Sequence, residues 1–368
     1  MDNNGFNTKT KSREPLFHII KRPHLPLKDA IIIRIVAILA ALVFTGIITV
    51  LLLKSNPITA YKTMFEGVFG ANTKDSLRST AILLCIALAL TPAFKMRFWN
   101  TGAEGQVLMG CLGTAAAMFY FGHLPTFLLV TLMLVFALTL GALWAVIPAI
   151  FKALWGTNET LFTLMMNSVA AFLILLFKKS WNRLSEAVDG EILDKERKIN
   201  DLFGTNYALV IILVLLLTAA VYVYQNYSKH GYEISVVGES ENTANYIGIN
   251  VKKVIIRTML ISGLMCGLAG FLITSISQTV ASDAVGGQGF TAIMVAWLAK
   301  FNPLVMILSA FLFIFFERGG QQISTSLGFS ESYSGILTGI LLFFIIGCEF
   351  FVNYKIVFNH KTKQKEEE

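Results

Sequence analysis

Ten apolar runs, most of them about as long as a lipid bilayer is thick, leave this chain few alternatives. Crossing the ~30 Å of hydrocarbon takes roughly 17–25 mostly apolar residues as a helix. The runs occupy 31–53, 80–94, 103–121, 125–148, 159–177, 206–224, 254–275, 287–300, 303–317 and 334–352. The second, eighth and ninth are short, and fusing 287–300 with 303–317 stays open. Of the 368 residues 55% are apolar and 14% charged, whereas a soluble domain carries about 25% charged residues. Too few polar groups remain to cover a soluble surface. The expected fold is an all-α polytopic membrane protein of about ten transmembrane helices. Its membrane domain is 31–352, between an N-terminal tail, 1–30, and a C-terminal tail, 353–368.

Charge placement orients it, because Lys and Arg are retained on the cytoplasmic side. With the N-terminus inside and ten spans, the inner segments, with Arg34 and Arg257 counted at the inner ends they adjoin, hold nineteen of the 30 Lys and Arg. Six of the others lie in the outer loop 178–205, where Asp and Glu offset them. Both termini are therefore expected in the cytoplasm. The basic residues from Lys9 to Lys28 resemble the start of a signal peptide. However, run 31–53 is too long for a cleavable segment, and no small-residue cleavage site follows. The net charge of +7 thus reads as orientation, and no nucleic-acid partner is expected. Cys85, Cys111, Cys266 and Cys348 are scattered through apolar runs without a C-x-x-C pair, against a disulfide framework or a zinc site.

Glycine-rich interruptions fall at Asn100–Gln106 (NTGAEGQ) and Val285–Phe290 (VGGQGF). They match in position if spans 2–5 and 7–10 form inverted repeats, whose broken helices line a central substrate site. The plainer reading is two ordinary turns in which Gly supplies positive φ. Glu104 and Glu159 lie at span ends, and Phe98, Trp99, Phe290 and Trp297 flank the interruptions. No Asp or Glu is expected near mid-span, which argues against a proton-coupled carrier. Gly263-x-x-x-Gly267 and Gly335-x-x-x-Gly339 suit close helix packing. The outer loop 178–205 reads as a solvated cap. The inner loop 225–253 has helix-start chemistry at Ser240–Tyr246, either as a connector or as a docking element. No G-x-x-x-x-G-K-[ST], H-E-x-x-H or G-x-S-x-G is present.

These motifs resemble a known family. FWNTGAEGQVLMG (98–110) resembles the FNIGAEGQ signature of permease subunits in ABC importers for nucleosides and simple sugars, which belong with the ribose and branched-chain amino-acid permeases. GTNETLFTLMMN (156–167) is similar to that family's G-x-N-E-x-x-x-T-x-M-x-N. VVGESENTANYIGINVKKVIIRTMLISGLMCGLAG (236–270) is similar to its V-G-x-N-x-x-A-A-x-Y-x-G-I-N-V block and the span after it. GQGFTAIMVAWLAKFNP (287–303) is similar to G-x-G-F-x-x-I-x-V-A-L-L-G-x-x-N-P. The likeness runs from about Pro57 to Phe351. Thr101 replaces a common Ile, Glu239 and Ser240 depart from the block's usual residues, and Ala299 replaces a usual Gly.

The resemblance implies a non-catalytic permease subunit in the cell membrane, working by alternating access. It implies a separate ATP-binding subunit, a second related permease, and an extracellular binding protein or lipoprotein. ATP would be bound by the partner, leaving no cofactor in this chain. The GAEGQ form of the first interruption points to nucleosides; simple sugars such as ribose are the alternative. An ion-coupled secondary transporter is the competing class. Expected along the substrate pathway are Phe98, Trp99, Asn100, Glu104, Gln106, Asn158, Glu159, Asn167, Gln288 and Phe290. Coupling to the ATPase is expected through Gly238, Ala244, Tyr246, Gly248 and Ile249.

Overall fold

The computed structural model describes residues 17–22, 26–53, 56–70, 72–184, 207–328 and 331–358. Among them every apolar run is helical: α1 (Leu27–Leu53), α3 (Thr73–Lys95), α4 (Ala103–Phe121), α5 (Thr126–Trp155), α6 (Glu159–Leu184) and α7 (Tyr207–Tyr227) precede the inner loop. After it come α10 (Val251–Ser277), α11 (Gln288–Leu298), α12 (Pro303–Leu327) and α13 (Glu331–Asn353). Three further helices are α2 (Pro57–Phe69), α8 (Lys229–Glu239) and α9 (Glu241–Tyr246). Six of these, α3, α5, α6, α7, α10 and α12, are long and apolar enough to cross a membrane. Ile35–Leu51 and α11 are shorter apolar helical stretches. The chain is a multi-pass membrane protein.

The membrane domain is all-α as expected, and the tails add one strand pair. Strands β1 (Phe17–Lys21) and β2 (Tyr354–Phe358) pair antiparallel, with Phe17 opposite Phe358 and Lys21 opposite Tyr354. Helix α2 was not anticipated either, because Lys62 and Glu66, paired at 3.7 Å, interrupt its apolar run. The segment 178–184 completes α6, while 185–205 of the outer loop lies outside the described residues.

The chain divides into two compact units, one of residues 1–60 and 335–368 and one of 61–334. In the first, the strand pair sets the start of α1 beside the end of α13. Gly335 and Gly339 meet nothing within 4 Å of a built Cβ, so the second small-residue face has no partner among the described residues.

In the second unit α3 is the central helix, with Leu83–Leu90 at most 3% exposed. Helix α10 packs on α5 and α4, and then on α3. Small residues let these backbones approach. A Cβ at Gly110 would lie 2.7 Å from the Gly267 carbonyl oxygen, and one at Gly263 would lie 2.6 Å from that of Gly141. Close backbone approach is how membrane helices gain packing without a hydrophobic driving force, as the Gly263-x-x-x-Gly267 spacing suggested. At one end of this bundle, Ala93, Met96 and Phe98 share an apolar core with Ala149, Ile234, Ala244 and Val254. That core seats the α8–α9 pair.

Candidate functional site

Helix α3 ends three residues after Pro92, where the ring has removed one N–H. Arg97 turns left-handed at φ 61°, and the Phe98 N–H closes on the Ala93 carbonyl at 2.9 Å. The end of α11 repeats this device. Lys300 and Phe301 have φ of 50° and 59°, and the Phe301 N–H reaches the Ala296 carbonyl at 2.9 Å. The two turns pack together through their rings. Phe94 stacks on Phe301 with centroids 6.0 Å apart, and Trp99 meets Trp297 at 5.4 Å.

From its turn the chain climbs into the bundle. Asn100, fully buried, donates to the Ser262 hydroxyl at 3.4 Å, and Ser262 lies near the midpoint of the 27-residue α10. Asn100 Oδ1 accepts from the Gly102 N–H and from Gln106 Nε2, both at 3.1 Å. Helix α4 therefore starts at mid-depth. Broken helices with buried ends are tolerated only where protein or a wet cavity faces them.

At that depth Glu104 joins the two interruptions. Its carboxylate accepts from the Gly287 N–H at 2.9 Å and the Gly289 N–H at 2.7 Å. It thereby caps α11, whose orphan N–H groups and positive end favour an anion. Only glycine fits opposite: a Cβ at Gly289 would lie 2.5 Å from the Glu104 nitrogen. The sequence placed Glu104 at a span end and no carboxylate at mid-span. Glu104 is nevertheless deep in the bundle, because the turn 96–102 carries the start of α4 inward. Both of its oxygens are engaged on backbone donors.

Helix α6 clamps the first interruption from the other side. Asn167 Oδ1 accepts from the Gly105 N–H at 2.8 Å, and its Nδ2 donates to the Thr101 carbonyl at 2.9 Å. Thr163 Oγ1 accepts from the Thr101 N–H at 3.2 Å. Asn100, Glu104, Gln106 and Asn167 are thus brought together. Trp99 and Phe290 are 44% and 42% exposed beside them. Gln288, in the first turn of α11, has its buried Oε1 without a hydrogen-bond partner among the described residues, as do Gln278 Nε2 and the Thr274 and Ser275 hydroxyls. Three expected residues lie elsewhere. Phe98 is buried in the core under α8–α9, Asn158 caps α6 by accepting from the Leu161 N–H, and Glu159 pairs with Lys152 at 2.9 Å. Ser262, Thr163 and the bonding of Glu104 to the Gly287 and Gly289 N–H groups were not foreseen.

The inner loop folds as two short helices. Ser240 separates them and accepts the Thr243 N–H on its hydroxyl at 3.2 Å, the N-cap its sequence suggested. Gly238 lies against the Lys95 carbonyl, where a Cβ would collide. Ala244 is fully buried, whereas Tyr246 is 93% exposed. Gly248 turns at φ 86°, and the Ile249 N–H returns to the Ala244 carbonyl at 2.9 Å. Glu233 ties α8 to α10 through Arg257 at 2.8 Å. That guanidinium, aided by His230, holds the Glu233 carboxyl below its ordinary value against the opposing effect of burial. No cluster of three metal-ligating side chains occurs among the described residues.

Apolar helices around two facing interruptions, with a short helix pair on one end, define a transport permease. The sequence pattern of the branched-chain amino acid transport system permease component matches residues 72–346, and the chain belongs to that family. It is 27% identical over 335 residues to the nucleoside ABC transporter permease NupB of Lactococcus lactis, covering 85% of this chain and 90% of that one. Its identity to the guanosine ABC transporter permease NupP of Bacillus subtilis is 28%, covering 86% and 92%. The glucose ABC transporter permease TsgB13 of Haloferax volcanii is 30% identical, covering 88% of each.

Proposed function

We propose that this chain is the non-catalytic permease subunit of an ABC importer for nucleosides in the cell membrane. The observation that carries the reading is the Glu104 bridge between the starts of α4 and α11. Two half-helices meeting at mid-depth form the kind of site that alternating access exposes to each side in turn. Gln288, whose Oε1 has no partner among the described residues, supplies an amide for sugar hydroxyls, Asn100, Gln106 and Asn167 hold the first interruption in shape beside it, and Trp99 and Phe290 supply an apolar face. Simple sugars are the second reading, favoured by the likeness to TsgB13.

The chain makes ten crossings in this account, with spans 2–5 and 7–10 as inverted repeats and both termini cytoplasmic. Pairing of β1 with β2 supports an even number of crossings, since it sets both tails on one side. Helices α8 and α9 seat in a separate ATP-binding subunit, with the exposed Tyr246 as the contact. A second, related permease completes the pore, and an external binding protein or lipoprotein delivers substrate.

The test is uptake of labelled guanosine in cells with and without this gene, with excess unlabelled ribose as competitor. Gene-dependent uptake that ribose leaves unchanged is the expected result. Uptake abolished by ribose moves the substrate to simple sugars, and absence of gene-dependent guanosine uptake contradicts the nucleoside reading.

A further inference from the structure

The later turns of α12 carry Glu317-Arg318-Gly319-Gly320-Gln321-Gln322 within a helix otherwise apolar enough to cross a membrane. An ionisable group there is costly and marks a functional site more often than a structural one. Arg318 donates to the Ser79 hydroxyl at 2.8 Å, which occupies one of the five N–H donors of a guanidinium. Beside it is a pocket of about 220 Å³ lined by Asn72, Asp75, Arg318, Gln321, Gln322 and Thr325, with Gly67 of α2 as its wall. Small residues bring α2 this close: a Cβ at Gly67 would collide with Gln322, and one at Gly319 with Met64.

The lining selects the chemistry of the ligand. It offers three carboxamides, one hydroxyl, one guanidinium and one carboxylate. Asp75 is held by Arg78 at 2.9 Å through Oδ1, which leaves Oδ2 as an acceptor. A phosphate or carboxylate would face Asp75, and a metal cation would face Arg318. A neutral ligand with adjacent hydroxyls satisfies both, donating to the carboxylate and amide oxygens and accepting from the guanidinium and amide N–H groups. Pockets that take whole drug-sized ligands run about 300–1,000 Å³, so this one suits a single sugar ring.

Position completes the argument. The pocket lies at the Asn72–Ser79 end of α3, whose other end at Lys95 carries Gly238 of α8. Twenty-three helical residues separate the ends by about 35 Å. The pocket is therefore on the face opposite the α8–α9 pair, the face from which an importer receives its cargo.

We propose that it is an outer subsite that takes the vicinal hydroxyls of the substrate's sugar before the sugar reaches the Glu104 level. The assignment rests on the importer reading above.

Uptake of labelled guanosine, 2′-deoxyguanosine and ribose by cells carrying wild type, Arg318→Gln or Gln321→Ala tests it. Gln321 is exposed and leaves Ser79 untouched, so its variant separates binding from folding. Guanosine uptake falls several-fold in Gln321→Ala and about tenfold in Arg318→Gln, the size of one lost charged hydrogen bond. Deoxyguanosine, which lacks the vicinal pair, falls less, so the ribo-to-deoxy ratio drops. A fall seen with ribose but not with guanosine supports the same pocket with a free sugar as its ligand. Equal losses for the two nucleosides, or no loss in either variant, overturn the subsite while wild-type uptake upholds the importer. Absence of gene-dependent uptake in wild type contradicts the importer reading, and the subsite with it.

Discussion

Glu104 shows how one carboxylate can hold two distant pieces of chain. It accepts from nitrogens 183 and 185 residues away, and a hydrogen bond to a charged group contributes about 1.5–3 kcal/mol. Glu104→Ala should therefore leave two orphan N–H groups at the buried start of α11 and lower uptake at least tenfold, an order-of-magnitude figure. Assembly should survive, because α4 keeps its contacts with α5 and α10. Transport rate measured beside co-purification of the partner subunits checks both halves of the claim. Gly289→Ala forces a methyl to within 2.5 Å of the Glu104 nitrogen and should cost about 1–3 kcal/mol as overpacking, read as a lower melting temperature. Sequence alone reached the residue types here, since NTGAEGQ and VGGQGF stand out against apolar surroundings. It paired the two interruptions at a central site as one of two readings, but it did not reach the Glu104 carboxylate that joins them. Periodicity reports where a helix starts in the chain and says nothing of how far the preceding turn carries that start inward.

At the scale of elements, α8 and α9 are rigidly seated on one side and open on the other. Gly238 and Ala244 are closed in against α3 and α5, whereas Tyr246 projects. Replacing Tyr246 by Ala should leave the melting temperature unchanged and weaken association with the ATP-binding subunit by about 2 kcal/mol, as for a central aromatic anchor. Pull-down of that subunit measures it, and undiminished binding would put the docking contact elsewhere. The Glu233–Arg257 tie gives a pH dependence of known sign. Because Arg257 holds the Glu233 carboxyl below its ordinary value, the tie stabilises the fold fully above the unfolded carboxylate pKa of about 4.3. That contribution is lost as pH falls through the lower, folded value. Arg257→Gln should thus melt earlier than wild type at pH 7, and the gap should close on acidification below pH ~4. Helix positions were legible because each apolar run is long. Helix α2 and the polar later turns of α12 were not, because Lys62 and Glu66 in one and Glu317 and Arg318 in the other ended the apolar pattern early.

For the whole molecule, the four ordered motifs identified the family, and residues 72–346 carry its pattern. One end of the bundle carries the α8–α9 pair, and its middle carries the joined interruptions. Glu104, spent on capping α11, is not left free to bind a coupling ion. The most direct test of this account is gene-dependent guanosine uptake under two treatments, ATP depletion with ion gradients held, and collapse of the gradients with ATP held. Uptake should stop in the first and persist in the second. Uptake that survives ATP depletion and stops when the gradients collapse would contradict it.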